Sequence, residues 1–318
     1  MEKVIESNRK FVPLWARVSA EFVGTYFVMF AVFAVGTLCS AIYGVNLVYI
    51  LLVTAVAYAA VSHIFGSISG AHFNPAISVA AALTRRITVL DAFSYIIAQV
   101  SAATAAAGTV TAVLPISDSI KSTAWFAYIA NGFEEGSPTH SALSSSGISF
   151  GLTMAVVLET VMTAIVVAAA IVNLKKDGTA KRGYAAATGC AYALGVGVAF
   201  PATGASLNPA RSTGIAIFAQ NKGLDAQPLS QLWLFWLTSV GAALLVAAVA
   251  LFCDSFGKKE AEASNVSFEK DSVKNSNAEE TSENAEESEG AEQSDENKQS
   301  DESGESDDES GKTGKDSK

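Results

Sequence analysis

The sequence predicts an all-α membrane protein. Six transmembrane helices and two re-entrant half-helices form an inverted repeat, and a disordered acidic C-terminal tail follows. Three observations predict this. Half of the 318 residues are hydrophobic and only 16% are charged, with a mean hydropathy of +0.32. The charges are segregated: from Gly257 onward there are 20 acidic and 8 basic residues, a net of −12, against 11 and 13 before it, a net of +2. The pI of about 4.9 therefore describes the tail. Finally, Asn-Pro-Ala occurs twice, as Asn74-Pro75-Ala76 and Asn208-Pro209-Ala210. Each copy leads an apolar stretch too short to cross a bilayer, which takes about 20 residues.

Taken in order, residues 1–13 are a polar N-terminal segment that lacks the features of a cleavable signal peptide. Six apolar stretches are long enough to span, at about 14–40, 46–66, 91–114, 150–172, 184–202 and 231–253. The half-length stretches lie after the second and the fifth. They are cut off by Arg85-Arg86 and by Gln220-Asn221-Lys222. The order span, span, half, span thus occurs twice, over about 14–114 and 150–254. An odd number of spans per copy makes the second copy enter from the opposite side. The channel-like body is 14–254 and the tail 255–318.

Orientation follows from the basic residues of the short loops. Arg9, Lys10, Arg17, Arg85, Arg86, Lys175, Lys176, Lys181, Arg182, Lys258 and Lys259 all fall on one side when six spans alternate. That side, with both termini, is expected to be cytoplasmic. The 35-residue loop from Pro115 to Ser149 is then extracytoplasmic. The membrane is either the plasma membrane or that of an internal vesicle or vacuole.

The paired boxes carry the chemistry. Asn is a favoured helix N-cap and Pro a favoured first helical residue, so each box reads as a helix start. Half-helices entering from opposite faces bring two N-termini together near the bilayer centre. Each N-terminus contributes about half a positive charge and unpaired N–H groups, a site that repels cations and protons. The amides of Asn74 and Asn208 are placed to donate to a passing oxygen. Glu21 in span one and Glu159 in span four are ionisable groups at membrane depth, which is costly without polar partners. They are expected to accept backbone N–H groups of the non-helical segments before each half-helix; for Glu21 an interfacial position is the alternative. Arg211, three residues after Asn208, is expected to face the pore as a positive barrier, with snorkelling to the interface as the alternative.

At these residues the chain resembles the aquaporin superfamily, the major intrinsic proteins. Both Asn-Pro-Ala boxes carry the resemblance, with Ser-Gly-Ala-His-Phe before the first, Arg211 after the second, Glu21, Glu159, Gln99 and Phe235-Trp236. It implies six tilted helices, one pore per subunit, a homotetramer, and His72 as a loop-supporting residue. It also implies a four-position constriction that maps onto Thr54, Val196, Ala205 and Arg211. Ser212, Ala216, Phe235 and Trp236 resemble the water-channel pattern. Thr54 and Val196, however, stand where water-selective members usually carry an aromatic and a His, which widens the pore and removes a donor. Water is the expected permeant, with glycerol, urea or ammonia as further neutral solutes. Tyr58 and His63 lie nearby and could point into the pore, against the more ordinary role of helix packing. With Ala205 where many members have a Cys, mercurials are not expected to inhibit through that position.

Other features bound the function. The cysteines Cys39, Cys190 and Cys253 read as small buried hydrophobes, with no metal-ligand spacing. No cofactor or nucleic-acid partner is expected, and no nucleophile–base pair points to an enzyme. The tail cannot bury enough surface to fold alone. Ser282, Ser294, Ser300 and Ser306 lie beside acids and are candidate phosphorylation sites, and docking of the tail on the basic loop Lys175–Arg182 is a candidate gate. Two rival classes stand against a passive channel. A secondary transporter would also use broken helices, and a junctional protein would use the small-residue faces around Ala102-Ala103, Ala105–Ala107 and Ala185–Ala187.

Overall fold

The computed structural model describes residues 12–39, 41, 46–115 and 118–256; the tail residues, the candidate phosphorylation sites and tail docking lie outside them. Ten helices are named here in chain order: α1 Leu14–Leu38, α2 Leu47–Phe65, α3 Pro75–Leu83, α4 Val89–Val113, α5 Ser122–Phe126, α6 His140–Leu143, α7 Leu152–Asn173, α8 Tyr184–Thr203, α9 Pro209–Ala219 and α10 Pro228–Phe256. Among the described residues there is no strand beyond one isolated bridge between Leu174 and Ala180. Six helices, α1, α2, α4, α7, α8 and α10, are long and apolar enough to cross a membrane. The chain is an integral membrane protein.

Local chemistry sets the helix ends. The Asn46 side chain accepts the Tyr49 N–H at the start of α2. Thr88 and Asp91 form a reciprocal capping box at the start of α4, and Asp91 also pairs with Arg17 of α1 at 2.9 Å. The half-helices begin one residue after their Asn caps, with Pro at the first helical position. The loop between the two repeats holds more structure than its Gly, Ser and Thr content indicated. It contains α5, α6 and short 3-10 turns at Glu134–Gly136 and Ser144–Ser146.

The two repeats interlock. Helix α2 packs along α8 and α4 along α9, across the repeat boundary, while α1 lies against α4 and α7 against α8. Small residues permit these approaches. A Cβ on Gly214 of α9 would stand 2.6 Å from the Ala103 carbonyl group of α4. Ala102, Ala103, Ala106 and Ala107 are fully buried, so that stripe packs inside the subunit and is not free for a junctional contact. Large apolar side chains such as Val48, Val56, Phe93, Leu237 and Phe252 lie exposed on the outside, the surface a lipid chain covers. The same inversion corrects the cysteines. Cys39 is buried, but Cys190 and Cys253 are exposed. In a membrane protein an apolar run faces lipid as well as core, so apolar neighbours do not imply burial.

Candidate functional site

Each half-helix is preceded by a strained turn held from behind by a carboxylate. Before α3, Gly70, Ala71 and Phe73 have φ of 97°, 54° and 48°; before α9, Gly204, Ala205 and Leu207 have 73°, 50° and 53°. Left-handed conformations cost a non-glycine residue on the order of 1–3 kcal/mol, so something must hold them. Glu21 accepts the N–H groups of His72 and Phe73 at 2.9 and 2.8 Å, the Ser69 hydroxyl at 2.6 Å and the Gln99 amide at 2.8 Å. Glu159 accepts the N–H groups of Ser206 and Leu207 at 2.8 and 3.0 Å and the Thr203 hydroxyl at 2.5 Å. Both carboxylates are fully buried inside the protein, so neither faces solvent. Gly70 meets a second demand: a Cβ there would come within 2.2 Å of the Gly178 carbonyl oxygen, because the 174–180 turn closes over the first box.

The boxes meet tip to tip. Asn74 Oδ1 accepts the Ala76 N–H and Asn208 Oδ1 the Ala210 N–H, at 2.9 and 3.0 Å. Each Nδ2 then reaches across to the other half. Asn74 donates to the Leu207 carbonyl and to the Tyr192 hydroxyl, both at 2.8 Å. Asn208 donates to the Phe73 carbonyl at 2.7 Å and to the Tyr58 hydroxyl at 3.0 Å. An amide nitrogen has two protons, so both asparagines are fully engaged within the chain. The rings of Tyr58 and Tyr192 stack with centroids 3.4 Å apart and planes 10° from parallel.

Next to this layer, Thr54, Val196, Ala205 and Arg211 line one cavity together with Tyr58 and Tyr192. The cavity is about 20 Å³; one water needs roughly 10–15 Å³ on this scale, so it seats a single water in this conformation. The Thr54 hydroxyl donates to the Ile50 carbonyl of its own helix at 2.8 Å. Arg211 is buried and its Nη1 donates to Asn131 Oδ1, so it does not snorkel. Asn131 in turn donates to the Thr203 carbonyl at 3.1 Å and accepts from the Ser212 hydroxyl at 2.8 Å. His63 is exposed and takes no part. His72 is buried, with Nδ1 3.1 Å from Ser78 Oγ and its ring edge-on to Tyr95.

Comparison with known proteins joins this geometry to a family. The family model described as major intrinsic protein matches residues 8–250. The chain belongs to the major intrinsic protein family. As a member it is a membrane channel for water or small solutes, not an enzyme. It is 32% identical over 241 residues to an aquaporin Z from Brucella melitensis, covering 73% of this chain and 95% of the relative. It is 33% identical over 236 residues to glycerol uptake facilitator protein-like 6 from Lactiplantibacillus plantarum, covering 73% and 94%. In fold it resembles the aquaglyceroporin from Plasmodium falciparum, with a TM-score of 0.55, 21% identity, and coverage of 75% of this chain and 97% of that one.

Within this family member, sequence reasoning passed over Asn131, Tyr192 and the hydroxyls of Ser69 and Thr203. A signal for most of them was available. Asn74 and Asn208 are 134 positions apart, and the same spacing joins Tyr58 to Tyr192, Ser69 to Thr203 and Ser78 to Ser212. Asn131 lies in the loop between the repeats, outside both copies, where the spacing gives no guide.

Proposed function

We propose that this channel passes water and, in addition, small neutral solutes of the glycerol, urea and ammonia class, and that it excludes ions and protons. One observation carries the reading: Thr54, Val196, Ala205 and Arg211 surround a single cavity above the boxes. None of the four brings a ring or an imidazole, and Arg211 is the one charge among them. The cavity seats one water as it stands, and a mouth without a ring or an imidazole sets less bulk and fewer competing donors against a polyol that widens it. Exclusion of cations rests on the buried Arg211 guanidinium together with the facing N-termini of α3 and α9, whose dipoles point the same sign at the centre. Asn74, Pro75, Ala76, Asn208, Pro209 and Ala210 build that centre, and Glu21, Glu159 and His72 hold the turns behind it. Residues 14–254 form the channel body, both termini face the cytoplasm, and four subunits associate through the exposed apolar helix faces. Stopped-flow light scattering on reconstituted vesicles tests permeation with water, glycerol, urea and ammonia side by side. Fast osmotic water flux with no re-swelling in glycerol, urea or ammonia gradients would remove the solute half of the proposal.

A further inference from the structure

The layer beneath the mouth carries a different conclusion, which rests on the channel reading above. Tyr58 lies four residues after Thr54 on α2, and Tyr192 four residues before Val196 on α8. Residues four apart share a helix face, so the two tyrosines are the next layer inward along the same pore wall. The repeat places them opposite each other, and their rings stack at 3.4 Å, which leaves no space for a water between them. Both tyrosines line the same cavity as the four residues of the mouth. Their hydroxyls receive the asparagine protons that would otherwise be free for a permeating oxygen.

We propose that Tyr58 and Tyr192 are the rate- and size-determining residues of this pore, with the four residues at its mouth in a secondary role. To cross, a permeant must exchange its own oxygen for a tyrosine hydroxyl on Asn74 or Asn208 while the two rings part. The near-parallel, face-to-face stack is the arrangement that ring quadrupoles disfavour. The pair is therefore held by the two asparagine hydrogen bonds and by packing, and the rings can separate once those bonds are exchanged. A larger solute needs a wider parting of the rings than water does, so the pair slows glycerol more than water.

The test uses the full chain in vesicles, with channel number quantified, and compares wild type with the Tyr58→Val/Tyr192→Val and Tyr58→Phe/Tyr192→Phe double variants. The valine pair is expected to raise unitary water permeability about tenfold, or ~1.4 kcal/mol off the barrier, and glycerol permeability by more, so that the glycerol-to-water ratio rises. The phenylalanine pair keeps the bulk and is expected to keep the wild-type ratio. The single variants Tyr58→Val and Tyr192→Val decide the matter if the double variant is not monodisperse in detergent, each raising both fluxes. Water and glycerol permeabilities of the valine variants within twofold of a conducting wild type would overturn the role of the tyrosines and leave the channel intact. Vesicles of wild type and valine variants that are all no faster than empty lipid would overturn the channel reading itself, and this inference with it.

Discussion

Replacing Glu159 separates the structural part of the pore from its conducting part. The carboxylate holds the N–H groups of Ser206 and Leu207 in a turn where Ala205 and Leu207 are left-handed. Its third donor, the Thr203 hydroxyl, retains the Ala199 carbonyl at 3.0 Å, so truncation orphans two backbone donors and not three. A buried N–H left without a partner costs about 1–3 kcal/mol. Glu159→Ala is therefore expected to destabilise the folded chain by about 2–6 kcal/mol. Glu159→Gln keeps an oxygen for Ser206 but turns a donor toward the Leu207 N–H, for about 1–3 kcal/mol. The assay is thermal unfolding of the purified protein in detergent by circular dichroism, paired with vesicle water flux. Midpoints should fall in the order wild type, Gln, Ala, and flux should fall with them as the second box loses its position. An Ala variant that unfolds at the wild-type temperature would refute the claim that Glu159 holds this turn.

Two further outcomes are expected. Arg211→Val removes the cation of the mouth and should raise proton or cation leak through reconstituted vesicles, measured with a pH-sensitive dye under an imposed gradient; an unchanged leak would place the barrier wholly at the half-helix termini. Asn131→Ala removes the oxygen shared by Arg211 and Ser212 and frees the guanidinium to take other positions, so the relative permeabilities to water and glycerol should shift by a few-fold, and the unfolding midpoint should fall because the buried Nη1 donor loses its partner at about 1–3 kcal/mol.

Much of this protein was legible along the chain. Six spans follow from apolar length, and the two half-helices follow from Asn-Pro starts and early polar stops, because capping chemistry and bilayer thickness act locally. Glu21 and Glu159 were legible for a similar reason: a carboxylate inside an apolar run must find donors, and the only backbone donors at that depth belong to the broken segments. Burial of single side chains was less legible, as Cys190 and Cys253 show, since lipid and core both accept apolar residues. The occupants of the pore were decided by tertiary structure alone. Tyr58 stood open between helix packing and the pore, and Tyr192 was marked only by the 134-residue spacing that also joins Asn74 to Asn208. Only the interlocking of the two repeats brings their rings together and sets their hydroxyls on Asn208 and Asn74. Local sequence determines where each half of the pore begins. The packing of one half against the other, a contact between residues more than a hundred positions apart, determines what stands in its way.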